Sequence, residues 1–240
     1  MITYTYLKDK VKEFLAATSL NIAEFLILLP AFVIAYQKLY PVEQTYAGKA
    51  RQRQKGGGDK ARIATMEDKL LFILVYEKTN PLQTMHGLEF GLSQPQANYW
   101  IHRLLPVLKE ALADLKLSPE REPNQVAEHL VGKAEPPNML LDGTERRRQR
   151  PKDESAQKTH YSGKKKAHTD KNIVLVNEHS GEVVYLGPTV EGKMHDKKAV
   201  QTSEPKLPTN ATLGQDTGFQ GYAPGNVITE QPKKSQKAKS

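Results

Sequence analysis

The 240-residue sequence contains no cysteine, which excludes disulfides and thiolate zinc centres and is compatible with a reducing compartment. Its N-terminus lacks a basic segment leading into an apolar run with a small-residue cleavage site, so no secretory leader is read there. Long apolar runs are scarce as well. The most apolar stretch, Phe25 to Tyr36, is interrupted by Pro30 and falls short of what ~30 Å of bilayer hydrocarbon demands, so no membrane span is expected. The glycine-rich Arg51-Gln-Arg-Gln-Lys-Gly-Gly-Gly58 has no strand before it and no Gly-Lys-Ser after it, which argues against a P-loop and for a basic tether. Acidic residues are the minority, 27 Asp and Glu against 35 Lys and Arg, giving a net charge of +8. A basic balance of this size speaks for nucleic acid or another polyanion as partner, and for no particular fold. With 38% hydrophobic residues the chain is long enough for two units, each with a core. The expected setting is the cytoplasm.

In the first half, Ile22, Phe25, Leu26, Leu29, Phe32, Val33 and Tyr36 recur at helical spacing behind Ser19 or Asn21 as N-cap, with Pro30 expected to kink the helix or restart it. Thr65 and Asp68 open a helix with Met66, Leu70, Ile73 and Leu74 on its apolar face, ending near Lys78. Asn80-Pro81 is read as the start of a second helix that Gly91 closes near Phe90, and Ser93 with Gln96 as the capping box of a third. That third helix sets Ala97, Ile101, Leu104 and Leu108 on one side and Gln96, Tyr99 and Arg103 on the other, and Pro106 is expected to kink or end it. A helix-turn-helix needs this division, one face packed and one offering amides, a ring and a guanidinium to DNA. A plain three-helix bundle with a polar outer face has the same periodicity. Ser118 to Pro137, with four prolines, reads as a linker.

In the second half, Met139 to Leu141 reads as a short buried strand that delivers Asp142 at its exit. Asp142-Gly143 alone would be a tight turn, but from Glu145 to Lys171 there are ten Lys and Arg against four Asp and Glu, so what approaches Asp142 is expected to be polyanionic. Asn172 to Asn177 and Glu182 to Leu186 read as a hairpin, Gly192 to Val200 as loop and short helix, and Ala211 to Gly214 as a fourth strand that delivers Asp216.

Asp142-Gly-Thr-Glu-Arg-Arg-x-Gln-Arg-Pro, Tyr161-Ser-Gly-Lys-Lys-Lys-x-His-Thr-x-Lys-Asn172 and Asp216-Thr-Gly-Phe-Gln-Gly-Tyr222, with Glu24-Phe-x-x-Leu-Leu-Pro-Ala-Phe32 upstream, together resemble the bacterial insertion-sequence transposases of the DDE superfamily, group five. The resemblance implies an α+β or α/β chain: an N-terminal all-α helix-turn-helix domain followed by an incomplete RNase H-like mixed sheet. The segments are an N-terminal helical region (1–50), a basic glycine-rich linker (51–64), the helix-turn-helix domain (65–117), a linker (118–137), the endonuclease domain (138–230) and a basic tail (231–240).

The resemblance also implies metal-dependent cutting and joining of DNA. Asp142 and Asp216 would be catalytic and would hold Mg²⁺ or Mn²⁺, two ions in a complete site, because hard cations take carboxylate oxygens. Gln96, Tyr99, Arg103, Arg146, Arg147, Lys164, Lys165, Lys166 and Lys171 would contact double-stranded DNA at the terminal inverted repeats, with room for a homo-oligomer on DNA and none for a membrane. His168, His195 and Asp196 would support the site from behind. In the family a glutamate on a later helix completes the acidic set, whereas after Asp216 this sequence has only Glu230. The expectation is therefore a truncated or upstream product, in the bacterial cytoplasm with the nucleoid. A non-catalytic DNA-binding regulator that competes with intact transposase stays open, as does a basic RNA- or nucleoid-associated protein.

Overall fold

Apolar side chains gather into two cores, and the chain divides accordingly into Met1–Ser118 and Pro119–Ser240. The computed structural model describes residues 1–44, 49–50, 52, 62–130 and 137–232. Most of the stretch read as a basic tether (51–64), the end of the one read as a linker (131–136) and nearly all of the basic tail (233–240) lie outside the described residues.

The first unit is helical: α1 (Tyr4–Leu7), α2 (Val11–Thr18), α3 (Ile22–Leu39), α4 (Met66–Thr79), α5 (Gln83–Phe90) and α6 (Gln94–Asp114). Local side-chain chemistry sets several starts. The Asn21 side chain accepts the Glu24 amide at 2.9 Å while Glu24 accepts the Asn21 amide at 2.8 Å, closing a capping box on α3. Thr65 caps α4, and Ser93 with Gln96 forms the box on α6.

Neither proline interrupts its helix, since α3 runs through Pro30 without a restart and α6 runs through Pro106 without ending there. A proline inside a helix costs about 3 kcal/mol, and each large apolar side chain buried returns about 1.5–3 kcal/mol. α3 buries Phe25, Leu28, Phe32, Ala35 and Tyr36, and α6 buries Ala97, Ile101, Leu104, Val107, Leu108 and Ala111. Both prolines face solvent, as do Leu26 and His102 four residues earlier, so the carbonyls deprived of a donor are on the wet side.

Asn80 takes a left-handed conformation (φ 43°) and closes α4 instead of opening α5, which starts at Gln83. Gly91 (φ 68°) closes α5, a conformation that glycine adopts without strain. A side chain at Gly87 would stand 2.6 Å from the Leu92 carbonyl oxygen, so the turn from α5 into α6 requires glycine there. By length and composition α3 could cross a membrane. Its Phe25, Phe32 and Ala35 are nonetheless fully buried in the helical core, so we read it as a core helix.

In the second unit β1 (Asn138–Arg147) is paired on both edges, antiparallel to β3 (Ala167–Asn177) and parallel to β6 (Thr212–Gln215). The short β2 (Tyr161–Ser162), β4 (Val183–Leu186) and β5 (Val190–Glu191) lie against β3, and β7 (Ile228–Glu230) adds a parallel strand outside β6. The remaining elements are α7 (Val126–His129), α8 (Glu154–His160), α9 (Asp196–Ser203) and a 3-10 turn at Thr217–Phe219.

Antiparallel strands β1, β3 and β4, a helix, then parallel strands β6 and β7 make an RNase H-like order, so the chain is α+β. β7 extends the sheet beyond the four strands expected from the sequence. The front of the supposed linker also belongs here, since Glu120 exchanges backbone hydrogen bonds with Val184 and Leu186, and Val126 and Leu130 are buried in the second core.

In the helical unit His86 is fully buried between Phe72, Tyr76 and Phe90, with no hydrogen-bond partner for either ring nitrogen among the described residues. Burial pushes its pKa down from 6.5 to about 4, so the fold favours the neutral ring. The unfolded chain then binds more protons than the folded one between those values. Stability is full above pH 6.5 and falls as the pH drops toward 4, by up to about 3 kcal/mol. Urea unfolding followed by the single tryptophan, Trp100, checks this: the midpoint declines across that window, and His86→Leu flattens the decline.

Candidate active site

Alternation along β1 separates two rows of side chains. Met139, Leu141, Gly143 and Glu145 point to the inner face with Leu175, Ile173 and Lys171 of β3 opposite, while Leu140, Asp142, Thr144 and Arg146 point outward. Asp142 therefore sits in mid-strand, not at a strand exit. β6 runs parallel with Leu141 opposite Gln215, so Asp216 follows at the position next to Asp142.

Both carboxylates are exposed and each is oriented by a backbone amide. Asp142 Oδ1 accepts from Gly143 N–H at 2.7 Å, and Asp216 Oδ1 from Gly218 N–H at 2.8 Å. Leu140, Asp142, Gly214, Asp216, Glu230 and Gln231 border a hollow of about 590 Å³, with Glu230 on β7 opposite Gly214. The two aspartates offer the all-oxygen donors that suit a hard divalent cation. No group of three or more His, Asp or Glu side chains able to hold a metal ion forms among the described residues, and two carboxylates alone fall short of the roughly six oxygens that such a cation takes.

On the inner face lies a second hollow, of about 360 Å³, bordered by Glu145, Lys164, Lys171, His195, Asp196 and Asp216. Lys171 corrects the sequence reading, which put it on the DNA-binding surface. It is 5% exposed, and its ammonium donates to Met194 O and Asp196 Oδ1, both at 2.7 Å, with Glu145 Oε1 at 3.5 Å. An ammonium enclosed by three oxygens has no donor left for a phosphate. Burial alone would raise the Glu145 pKa, but hydrogen bonds from Ser162 and Thr169 and the Lys171 charge outweigh it and hold the carboxyl below its usual range.

The other candidates fall in different places. His195 is the exposed N-cap of α9 and borders the inner hollow. His168 does not join the aspartates; it packs edge-on against Tyr161, six positions along β3 from the residue opposite Asp142, roughly 20 Å at strand rise. Lys164, Lys165 and Lys166 are exposed on the turn between β2 and β3. Arg147 is exposed near the end of β1, and the outward Arg146 donates to Asn172 Oδ1 at 2.7 Å.

On α6, Gln96 and Tyr99 are exposed, with the Gln96 side-chain oxygen accepting from the Ser93 amide at 3.0 Å. Arg103 is half-buried: its guanidinium lies 3.5 Å from the centre of the Tyr40 ring, and its Nε donates to the Tyr36 hydroxyl at 3.3 Å. Sequence reasoning missed Gln83, whose side-chain oxygen accepts from Gln94 (2.7 Å) and Asn98 (3.2 Å) and ties α5 to the start of α6. It also passed over Glu145, although the alternation Met139, Leu141, Gly143, Glu145 marks its face.

Lys171→Ala leaves the Glu145 and Asp196 carboxylates without their buried cation, and is expected to cost about 3–5 kcal/mol, whereas Lys164→Ala on the surface turn costs under about 0.5 kcal/mol. Hydrogen exchange at β1 and β3 amides measures the difference, and equal protection in the two variants would put Lys171 outside the core.

A profile for the helix-turn-helix of DDE superfamily endonucleases matches residues 62–114, and one for DDE superfamily endonucleases matches residues 141–239. The chain is also 26% identical over 204 residues to a probable transposase for insertion sequence element IS702 of Microchaete diplosiphon, covering 83% of this chain and 68% of that protein. The match to the endonuclease profile takes in both aspartates, the match to the other takes in α4, α5 and α6, and the relative spans both: the three findings agree in likening the chain to the insertion-sequence transposases of the DDE superfamily.

Proposed function

We propose that the chain binds the terminal inverted repeats of an insertion element through α6 and acts on a phosphodiester placed over Asp142 and Asp216, with Mg²⁺ or Mn²⁺ as cofactor and two ions in a complete site. The observation that supports this reading is the β1–β6 register together with two oriented, exposed carboxylates, Asp142 on β1 and Asp216 one residue past the last paired position of β6. Asp142 and Asp216 would hold the ion. When bound, the cation supplies positive charge to the phosphate under attack and eases ionisation of the attacking oxygen. Lys164, Lys165, Lys166, Arg146 and Arg147 draw the backbone in and offset its charge. Gln96, Tyr99 and Arg103 face the bases or the flanking phosphates, with Arg103 braced on Tyr40. Self-association on DNA and residence in the cytoplasm with the nucleoid belong to the same reading.

A second reading has one observation in its favour. The described residues provide two acidic ligands and not three, so a chain that occupies element ends without cutting them, and competes with an intact transposase, fits the same site.

Binding to a terminal-repeat duplex and to a scrambled one tests the first part: Gln96→Ala, Tyr99→Ala and Arg103→Ala each remove about 1–3 kcal/mol of discrimination. Arg103→Ala should also lower the melting point of the helical unit, which separates its two roles. Mn²⁺ titration watched by paramagnetic broadening tests the second: signals at both aspartates broaden in the native chain and stay sharp in Asp142→Asn. Metal-dependent nicking lost in Asp142→Asn selects the enzyme, and occupancy without nicking selects the regulator.

A further inference from the structure

We infer that Asp196 is a positioning residue whose carboxylate, wedged beneath Gly143 and Gly218 and held by Lys171, fixes the spacing of Asp142 and Asp216 from inside the sheet. The inference rests on the metal-holding reading of that pair.

The β1–β6 ladder does not itself place Asp216. Its last paired residues are Leu141 and Gln215, so Asp216 and the Thr217–Phe219 turn lie one step past the hydrogen-bonded strand. Gln231 donates to Asp216 O and Gln215 to Tyr222 O, which tie the turn to the end of β7 and across itself, and its approach to β1 is left to another element. Asp196, in the first turn of α9, stands in the right place. A Cβ at Gly143 would fall 2.9 Å from Asp196 Oδ1, and a Cβ at Gly218 would fall 2.8 Å from Asp196 Oδ2. The two carboxylate oxygens thus occupy the space that side chains at these two positions would fill. Gly143 directly follows Asp142, and Gly218 supplies the amide that orients Asp216.

The wedge is itself immobilised. Its Oδ1 takes the Lys171 ammonium at 2.7 Å, and that ammonium is tied to Met194 O at 2.7 Å and faces Glu145. Behind it, Ala199 and Val200 anchor α9 in the core. The chain runs Glu145–Lys171–Asp196 from β1 through β3 to α9, so three elements agree on where one carboxylate sits. With its charge matched by Lys171, Asp196 acts on the exposed pair through shape rather than as a third ligand.

The test is Mn²⁺ affinity of the full chain, read from broadening of the Gly143 and Gly218 amide signals. Asp196→Ala removes the wedge and is expected to weaken Mn²⁺ binding about 10-fold to 100-fold, the range typical of residues that orient metal ligands. Asp196→Asn keeps the shape and should restore most of the affinity. Val184→Ala opens a cavity in the same core on β4, a strand that does not carry the wedge, and should lower the unfolding midpoint with Mn²⁺ affinity unchanged, which separates positioning from general stability. If Asp196→Ala fails to fold, Gly143→Ala, whose Cβ would meet only Asp196 (2.9 Å from Oδ1), approaches the same contact from the β1 side and should weaken binding likewise, read at the Gly218 amide. Native affinity in Asp196→Ala, or in Gly143→Ala where that variant has to decide, overturns the inference while leaving the paired-aspartate site intact. A native chain that shows no broadening at either amide overturns the metal-holding reading and the wedge with it.

Discussion

A single constraint underlies both the second core and the candidate site: β1 is hydrogen-bonded on both edges, in opposite senses, to β3 and β6. With a side-chain period of two, a slip of one residue would carry Met139 and Leu141 out of the core and turn Asp142 into it. The apolar area buried by Met139, Leu141, Ile173, Leu175 and Leu213 therefore fixes the same register that places Asp142 next to Asp216. The site needs no separate source of precision along the strands. What the ladder leaves open is the approach of the turn after β6, where packing from α9 takes over.

Features with local causes were legible in the sequence. The caps at Asn21, Thr65 and Ser93 could be read because a side chain and an amide three residues later decide them. Asp142 and Asp216 could be singled out because each follows a short apolar run and lies in a specific string, although Asp142 stands in mid-strand and not at the strand exit expected for it. Features decided at long range were not. β1 reads as a triplet because Thr144 to Arg147 are polar, yet pairing with β3 extends it to ten residues. β7 has three residues and no apolar run of its own, and exists because β6 offers it an edge. Pro30 and Pro106 carry a local rule that packing of the opposite helix face overrides. Lys171 looks like its exposed neighbours Lys164, Lys165 and Lys166, and only the fold brings Asp196 and Glu145 to it.

The helical unit shows the same division. Its capping boxes and Gly91 are local, while the tie from Gln83 to Gln94 and Asn98 depends on α5 and α6 meeting at one angle. Three amides leave the start of α6 with little freedom relative to α5, so Gln96 and Tyr99 are presented by a stiff corner. Arg103 one turn later is braced on Tyr36 of α3 and on Tyr40 just past its end, which gives its guanidinium a fixed plane.

The enclosure of Lys171 changes how the basic string from Glu145 onward meets a polyanion. A cation set against a phosphate releases condensed counterions into bulk solution, and the entropy of that release drives sequence-independent attachment. Lys171 is neutralised from within and releases none, and Arg148, ion-paired to Asp170 at 2.9 Å, contributes less than an unpaired guanidinium would. The string thus generates a shallower electrostatic trap than its ten cations suggest. On the proposed reading, a protein that clings less tightly to arbitrary duplex leaves a larger share of site selection to the geometry of α6.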